Sequence, residues 1–567
     1  MRSAPSSSLL ITCLALVMSP LHAQDWQWTR HIGGMGRDHG RVCAQDEAGG
    51  LYMLVNYARP TPDPASDCFL NGDTVHGASD ALLVKYNEAG DVLWMRNCVS
   101  PNSGIGLRDL VLDTVTHAIF IVGGYTYSCS LDTCSLSTSF SGAFLSKWTY
   151  DGACLWARDL AVCGSDVLGS VCSATSIALD GDGRVLVAGN TAPYLPTVVE
   201  GQQFPPGSFI LACDLDGEPL WARMLAEFGG SSDMYCNPGS IRCWGGEGFL
   251  NAGFLLSNNT DTLAIDTFEI SGRSGVGHAL LQFDPETGAI AWVRFDGLGS
   301  ALTPAMDMDD DGRIYVTNTY LDTVFFSTDT LYAEQATTGE GFVAIYNTDG
   351  ALTSLENFPS TGHVYFLELD AMPGGGALLT GMLYAGQGDW NNNPFTIAQF
   401  PELFISEHDT MGVCRAMVHG GLGKGTSILA TASGTYIVVT FPPTGSSTGT
   451  ITLGEDTYDS YGYDDLVLAK LDGLSAVGTS RAALDDRLVI YANPNAGSFN
   501  VVVPEALLGD PQLQLRIYDS TGRLVKEAGM RMGEQRPRTD VFDVGAGYYM
   551  VTLSNGKLTC SGSMVVE

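Results

Sequence analysis

The residues that most resemble a working site are three aspartates at alternating positions in the run 307–312, which reads Asp-Met-Asp-Asp-Asp-Gly. Carboxylate oxygens at the first, third and fifth places are how a calcium-binding loop begins. A complete loop would place Glu at the twelfth position, where Asn318 stands. The sequence therefore predicts a hairpin turn here, with Asp307, Asp309 and Asp311 kept as candidate calcium ligands.

Recognisable catalytic motifs are absent from the sequence. It contains no Gly-x-Ser-x-Gly elbow, no His-Glu-x-x-His pair and no Cys/His pair with supporting context. We therefore expect a protein that is not an enzyme and needs no cofactor. The 63 acidic residues nevertheless leave open a paired-carboxylate site of the glycosidase type, because such a site is defined by geometry.

The charge balance limits the classes of partner. The 567 residues include 63 acidic and 28 basic side chains, which gives a formal net charge of −35. A chain of this charge repels phosphate backbones, so nucleic-acid binding is not expected. The acidity favours solubility outside the cell.

The N-terminus predicts export. Arg2 precedes an apolar run from Leu9 to Val17, and the small residue Ala23 follows at a cleavage position. We assign residues 1–23 to a signal peptide cleaved after Ala23. No later stretch is long and apolar enough to span a membrane.

The cysteines fit an oxidising compartment. There are 14 in the chain, and Cys13 lies in the predicted signal peptide. Closely spaced cysteines predict disulfides that staple loops, whereas the Cys-x-x-Cys spacing of zinc sites is missing. The close pairs are Cys129/Cys134, Cys163/Cys172 and Cys236/Cys243.

One element recurs along the chain: an apolar strand, an Asx or Gly turn, and a strand carrying Trp-x-Arg. A second element, a hairpin with an Asp-x-x-Gly turn, alternates with it, and each occurs seven times at intervals of about 65 residues. Two hairpins per repeat predict a four-stranded sheet that must stack on its neighbours to bury both faces. The clearest copies of the first element are Ala81–Arg96, Phe144–Arg158, Phe209–Arg223 and Leu280–Arg294.

The two ends of the repeat region are complementary halves of one repeat. Residues 25–30 carry the tryptophan half alone, and residues 465–473 carry the other half without a tryptophan. This predicts a ring closed by an N-terminal strand. The repeated tryptophans are then packing residues between sheets rather than a ligand platform. They are Trp28, Trp94, Trp156, Trp221 and Trp292.

The repeats over residues 26–473 resemble bacterial β-propeller repeats of secreted proteins. The resemblance implies a propeller and, as a rule, no assigned activity. The predicted fold is therefore all-β: a seven-bladed β-propeller over residues 24–475, closed by N-terminal strand exchange. A linker at 476–487 and a small β-sandwich at 488–567 follow it.

The last eighty residues resemble the type A C-terminal sorting domain of the type IX secretion system of Bacteroidota. An Asn-Pro turn, a Tyr-Asp-x-x-Gly-Arg hairpin and a Gly-x-Tyr strand follow one another in the order of that family. The resemblance implies handling by the type IX machinery and secretion or attachment to the cell surface. The residues that carry it are Asn493, Pro494, Gly497, Tyr518, Gly522, Gly547 and Tyr548.

The expected function is that of a non-catalytic recognition or adhesion module that binds an unidentified glycan or protein. The alternative is an extracellular enzyme, a lyase or hydrolase of polysaccharides, with an acidic site in the propeller channel. Carboxylates, His and Arg that converge in that channel would favour the enzyme, whereas a lining of Gly, Ala and aliphatic residues would favour binding.

Overall fold

The structure is a computed structural model. The chain consists of two compact units, Met1–Val477 and Gly478–Glu567, and the boundary between them falls inside the predicted linker. The predicted signal peptide, with Ala23, lies outside the described residues. The structure describes residues 26–34, 38–57, 68–70, 73–75, 80–100, 104–163, 172–191, 197–227, 235–257, 259, 261–300, 304–334, 338–397, 401–442, 449–472, 474, 489–491, 498–502, 513–519, 523–529, 538–540, 547–554 and 559–566.

The first unit consists of β-strands, forty in its described part. The strands of its first half are β1 (Trp26–Gly34), β2 (Asp38–Gln45), β3 (Leu51–Tyr57), β4 (Cys68–Leu70), β5 (Asp73–Val75), β6 (Ala81–Tyr86), β7 (Val92–Val99), β8 (Ile105–Asp113), β9 (Ala118–Leu131), β10 (Cys134–Thr149), β11 (Cys154–Cys163), β12 (Ser173–Leu179), β13 (Arg184–Asn190), β14 (Thr197–Val199), β15 (Gln202–Phe204), β16 (Gly207–Asp214) and β17 (Pro219–Glu227). The strands of its second half are β18 (Tyr235–Trp244), β19 (Glu247–Leu256), β20 (Thr262–Ile265), β21 (Phe268–Ser271), β22 (Gly275–Phe283), β23 (Ile290–Asp296), β24 (Leu298–Ser300), β25 (Ala305–Met308), β26 (Ile314–Phe325), β27 (Thr330–Tyr332), β28 (Glu340–Tyr346), β29 (Leu352–Phe358), β30 (Val364–Ala371), β31 (Ala377–Leu383), β32 (Gly386–Asp389), β33 (Pro394–Ile397), β34 (Glu402–His408), β35 (Cys414–Leu422), β36 (Lys424–Thr431), β37 (Gly434–Phe441), β38 (Thr450–Leu453), β39 (Asp456–Asp459) and β40 (Asp465–Leu471).

Each repeat contributes a sheet of four strands joined by three antiparallel pairings. Two of the sheets are also joined where Cys98 on β7 pairs with Leu131 on β9. The described strands that take part in none of these pairings are short. Strands β9, β10 and β26 belong to the sheets but extend beyond them at one end. The four-strand orders are β2-β3-β6-β7, β8-β9-β10-β11, β12-β13-β16-β17, β18-β19-β22-β23, β25-β26-β28-β29, β30-β31-β34-β35 and β36-β37-β40-β1.

The N-terminal strand β1 completes the sheet begun by β36, β37 and β40. It runs antiparallel to β40, with Trp28 opposite Lys470, Thr29 opposite Ala469 and Ile32 opposite Leu466. Ile32 and Leu466 are fully buried. The predicted pairing between the two separated halves of one repeat is therefore present.

The sheets bury their faces against each other. The first strand of each sheet contacts the first strand of the next, in the order β2, β8, β12, β18, β25, β30 and β36, and β36 contacts β2. One core cluster, for example, joins Ile32 and Val438 of the last sheet to Met53 and Val84 of the first. The architecture is all-β and β-propeller-like. We call these first strands the inner strands.

The Trp and Arg side chains of the Trp-x-Arg strand in one sheet contact the hairpin turn of the following sheet. Trp94 Nε1 donates to the carbonyl oxygen of Tyr150 at 3.2 Å, and Arg96 Nε donates to that of Gly152 at 2.8 Å. The turn residue Gly152 has a positive φ of 82°, and a Cβ there would come within 2.9 Å of the Trp94 ring. The repeated Asp-Gly dipeptide thus supplies the turn geometry and the space for the tryptophan together.

One disulfide joins the described cysteines, Cys134–Cys154, and it differs from the predicted pairs. The prediction of Cys129–Cys134 is wrong because the turn between β9 and β10 lies against β11: Thr133 Oγ1 donates to the carbonyl oxygen of Cys154 at 3.2 Å. Cys172 also remains a thiol, with its Sγ 3.4 Å from the carbonyl oxygen of Ala161, so the prediction of Cys163–Cys172 is wrong.

The pair Cys236/Cys243 is also wrong. Both residues are thiols on the same extended strand, β18. Seven residues of strand separate their Cα atoms by roughly 23 Å, at about 3.3 Å per residue. A disulfide requires Cα atoms within about 7 Å.

The second unit is also built from strands. Its strands form the sheets β41-β42-β45 and β44-β43-β46-β47. No helix in the described residues has the length and apolar character needed to cross a membrane. The strands are β41 (Val489–Tyr491), β42 (Ser498–Val502), β43 (Gln514–Asp519), β44 (Leu524–Gly529), β45 (Arg538–Asp540), β46 (Gly547–Ser554) and β47 (Thr559–Val566).

Candidate functional site

A cavity of about 590 Å³ lies among the inner strands of the first unit. We call it the inner cavity. Its volume falls within the range of small-ligand sites. Segments of six inner strands line it, and the charged residues among them are Arg41, Arg108, Asp109, Arg242, Glu368, Asp370 and Lys424.

A β-bulge interrupts each of these six inner strands at a corresponding place. The register shifts at Arg41/Val42 on β2, at Arg108 on β8 and at Thr426 on β36. A bulge leaves a residue out of the strand ladder and redirects its side chain. The bulged residues of all six strands line the inner cavity, the other three being Thr175, Gly239 and Leu367.

Most aspartates around the cavity tie one inner strand to the next. Asp109 Oδ2 accepts hydrogen bonds from Ser176 Oγ at 2.9 Å and from the Ile177 N–H at 3.0 Å, and thereby joins β8 to β12. Ser176 Oγ in turn accepts the Ile241 N–H of β18 at 3.1 Å. These carboxyl and hydroxyl groups satisfy backbone donors that the bulges leave unpaired.

The same device recurs on the other side of the cavity. Asp307 Oδ2 accepts the Ala371 N–H of β30 at 2.8 Å, and Asp370 Oδ2 accepts the Ala430 N–H of β36 at 2.6 Å. Burial and the neighbouring Asp307 raise the pKa of Asp370 well above its usual range. Burial and a neighbouring carboxylate both disfavour the charged form of Asp370.

Arg242 lies among these carboxylates. Its Nε donates to Asp307 Oδ1, and its Nη1 donates to the carbonyl oxygen of Ile241 at 2.9 Å. Burial opposes the charge, but Asp307 and Asp109 together raise the pKa of Arg242. Arg242 therefore remains a cation that is neutralised within the protein.

Three further cations line the cavity on the adjacent strands β36, β2 and β8. They are Lys424, Arg41 and Arg108, and no carboxylate of the described residues lies within ion-pairing distance of them. Burial and the charge of Arg108 lower the pKa of Arg41 to about 10, and burial lowers the pKa of Lys424. Arg41 Nε is buried, and no group in the described part of the chain accepts its hydrogen.

Glu368 is the remaining carboxylate of the inner cavity. It follows the bulge of β30 and accepts the Leu369 N–H at 3.2 Å. Burial raises the pKa of Glu368 to about 7. This side chain can therefore gain or lose a proton near neutral pH.

The aspartates predicted as calcium ligands serve other partners. Asp309 Oδ1 accepts the N–H groups of Asp311 and Arg313 at 3.1 and 2.9 Å, and Asp309 Oδ2 accepts the Tyr315 hydroxyl at 2.8 Å. Asp311 pairs with Arg313, and Asp307 turns to Arg242 instead. The segment forms the hairpin turn that the sequence predicts. Among the described residues no group of three or more Asp, Glu, His or Cys is placed to hold a metal ion, so calcium binding stays a prediction.

The sorting-domain residues are only partly described. Tyr518 lies on β43 opposite Met550, and Gly547 and Tyr548 lie on β46 opposite Val566 and Val565. The other four residues of the motif fall outside the described residues: Asn493, Pro494, Gly497 and Gly522.

The prediction from sequence did not identify the cavity cations. A usable signal was present: Arg41 and Arg108 each follow a small or apolar residue within an inner strand, as in Gly40-Arg41-Val42 and Leu107-Arg108-Asp109. Strand alternation alone does not say which way a bulged side chain points.

The C-terminal part of the chain matches a known family of export domains. Residues 489–567 match the family described as the secretion system C-terminal sorting domain. The match supports a substrate of the type IX secretion system, exported to the cell surface or released from the cell. The comparison with curated proteins found no match.

Solved structures resemble the chain only distantly. One is the quinohemoprotein alcohol dehydrogenase from Comamonas testosteroni, with 9% identity, a TM-score of 0.40, and coverage of 83% of this chain and 79% of that one. Another is Trypanosoma rangeli sialidase in complex with sialic acid, with 11% identity, a TM-score of 0.33, and coverage of 84% and 85%. Hydrazine synthase of Kuenenia stuttgartiensis has 9% identity, a TM-score of 0.38, and coverage of 70% and 91%.

Proposed function

We propose that this chain is a non-catalytic recognition protein that the type IX secretion system exports and that binds an extracellular glycan or protein. Its body is a seven-bladed β-propeller closed by the pairing of β1 with β40. The succession of inner-strand contacts from β2 to β36 and back to β2 supports this architecture.

The observation that carries the binding proposal is the division of roles among the charged groups of the inner cavity. Asp109, Asp307 and Asp370 accept backbone N–H groups of neighbouring strands, so these carboxylates maintain the architecture. Arg41 and Arg108 face the cavity without a carboxylate partner among the described residues. Positive groups positioned by rigid strands, and carboxylates already committed, suit ligand capture better than acid–base chemistry.

A binding experiment on the full chain tests this function. The secreted protein is applied to glycan arrays and to extracellular protein fractions, and each hit is titrated to saturation. We expect at least one saturable ligand that is recovered unaltered. Absence of any saturable ligand in both screens would contradict the recognition proposal.

Export is tested separately by removing residues 488–567. The type IX machinery reads the sorting domain, so the shortened chain should accumulate inside the cell envelope while the full chain reaches the surface or the medium. Equal surface delivery of the two chains would contradict the role given to this domain.

A hydrolase is the second candidate, and one observation favours it. Burial and the neighbouring Asp307 raise the pKa of Asp370 beside the inner cavity, and burial raises the pKa of Glu368 there to about 7. A protonated acid beside a carboxylate is the minimum for general acid–base cleavage of a glycoside. Mass spectrometry of polysaccharides incubated with the chain distinguishes the candidates: new reducing ends that Glu368→Gln abolishes would favour the hydrolase.

A further inference from the structure

Cations are concentrated in the inner cavity although the chain as a whole is strongly negative. Of 28 Lys and Arg residues in a chain of net charge −35, four line this one cavity. Arg242 is neutralised by Asp307, which leaves Arg41, Arg108 and Lys424. In so acidic a chain, three cations at one place that form no ion pair with a carboxylate of the described residues are a local exception to the protein's own composition.

Arg41 lies close enough to Arg108 and Lys424 for their charges to repel, and the carboxylate of Asp464 offsets part of this at Lys424. The three cations come from neighbouring inner strands, since β2 contacts both β8 and β36. Holding like charges together costs free energy, and a buried N–H group without an acceptor costs more. Arg41 Nε is such a group among the described residues. An anion between the cations removes both costs.

The donors and the size of the cavity indicate the kind of anion. Guanidinium groups bind carboxylate and sulfate oxygens in a bidentate manner, and they discriminate against neutral groups. The hydroxyls of Thr175, Ser240 and Thr426 also line the cavity and can hydrogen-bond to ligand hydroxyls. A volume of about 590 Å³ accommodates a small polar molecule and excludes a folded domain.

We propose that Arg41, Arg108 and Lys424 form an oxyanion site in the inner cavity that binds the carboxylate or sulfate of an acidic saccharide. This inference rests on the proposed recognition function and specifies its ligand. The redirected bulge positions hold Arg41 and Arg108 toward the oxyanion, and Lys424 adds charge from β36.

Isothermal titration of the full chain tests the site with sodium glucuronate, sodium sulfate and glucose as probes. We expect glucuronate, sulfate or both to bind saturably and glucose to bind at least about tenfold more weakly, because glucose carries no charge for a charge-assisted contact. Glucuronate binding alone identifies a carboxylate ligand, and sulfate binding alone identifies a sulfate ester. Saturable binding of neither anion, or equal binding of glucose, would overturn the proposal.

Two variants with the same loss of charge locate the binding. Arg41→Gln should weaken anion binding at least about tenfold, whereas Arg273→Gln, at an exposed arginine outside the cavity, should leave it unchanged. Without ligand, Arg41→Gln should unfold at the same temperature as the parent chain or a higher one, because it removes like-charge repulsion. Should Arg41→Gln not fold, Lys424→Gln replaces it with the same expected loss. Unchanged binding in the folded cavity variant would overturn the site.

The experiments distinguish failure of the oxyanion site from failure of the proposed recognition function. Array ligands that are all neutral, with no response to glucuronate or sulfate, would leave recognition standing and remove the oxyanion site. Anion binding that Arg41→Gln abolishes, with no array or protein ligand, would leave the site and remove recognition of a macromolecule. Saturable binding of an acidic peptide in place of both anions would contradict the saccharide class.

Discussion

Trp28 Nε1 donates a hydrogen bond to the carbonyl oxygen of Glu88 at 3.0 Å, and its ring lies against Gly90 of the same turn. Trp28 belongs to the strand that completes the last sheet, whereas Glu88 and Gly90 belong to the first sheet. Arg30 strengthens the contact by donating to the carbonyl oxygen of Gly90 at 2.7 Å. The N-terminal strand therefore joins two sheets, one by strand pairing and one by this contact.

Gly90→Ala should destabilise the protein more than Gly181→Ala does. Both glycines have positive φ, 78° and 83°, so alanine costs about 1–2 kcal/mol of backbone strain at either position. A Cβ at Gly90 would also lie 2.7 Å from the Trp28 ring, whereas nothing lies within 4 Å of one at Gly181. Overpacking adds about 1–3 kcal/mol. Urea unfolding measures both; equal losses would contradict the packing role of Trp28.

A chain that begins at Asp38 should unfold at a lower temperature than the mature protein. It lacks β1, so β40 loses its partner and the buried side chain of Ile32 is missing from the core. A synthetic peptide of residues 24–34 added in excess should restore the midpoint by refilling the vacant edge. A peptide of the same composition in scrambled order is the control. A shortened chain as stable as the parent would refute closure by β1.

Cys134→Ser should cost about 3 kcal/mol, the contribution of a disulfide that closes a loop of this size. The disulfide spans a sequence separation of 20 residues. Cys129→Ser changes a buried thiol nearby and serves as the control: its loss should be smaller and, because it keeps the disulfide, reductant should still destabilise it, whereas Cys134→Ser should no longer respond to reductant. Peptide mapping under non-reducing conditions should recover Cys134 linked to Cys154. Recovery of Cys129 linked to Cys134 would refute the assignment.

The protein should become less stable as the pH is lowered below 6.5, in part because of the titration of His408. Burial lowers the pKa of His408 to about 4, against about 6.5 in the unfolded chain. Its stabilising contribution is therefore complete above pH 6.5 and is lost as the pH falls toward 4, by at most about 1.4 kcal/mol per pH unit. Nδ1 donates to the carbonyl oxygen of Gly412 at 3.0 Å, and Nε2 accepts from Ser406 Oγ at 2.8 Å.

His408→Gln tests the titration by unfolding at pH 7.5 and pH 5. Gln retains a donor and an acceptor but does not titrate in this range. The variant should be less stable than the parent at pH 7.5, and the difference should shrink at pH 5. A constant difference between the two pH values would show that His408 does not carry this pH dependence.

Much of the scaffold could be predicted because it repeats. Trp-x-Arg and Asp-Gly recur at fixed positions in the repeat. The contact of the Trp94–Arg96 strand with the turn at Gly152 and the pairing of β1 with β40 therefore follow from the spacing of repeated residues. The disulfide did not repeat. Its pairing depends on the position of the long β9–β10 hairpin, which sequence proximity of cysteines does not reveal.

The candidate site was harder to predict for a related reason. Arg41, Arg108 and Lys424 lie on three different sheets, and no sequence motif connects them. Only the inner-strand contacts bring them to one cavity, and bulges redirect the side chains of Arg41 and Arg108. Asp307, by contrast, looked like a metal ligand because its neighbours are acidic, yet it contacts Arg242 and the Ala371 N–H group.

The central claim is that the inner cavity recognises a ligand and does not transform it. The most direct measurement compares the full chain with the double variant Arg41→Gln/Arg108→Gln on one glycan array, followed by mass spectrometry of the bound ligand. We predict saturable binding by the parent chain, loss of that binding in the folded double variant, and a ligand recovered intact. Cleavage of the ligand, or equal binding by the double variant, would contradict the claim.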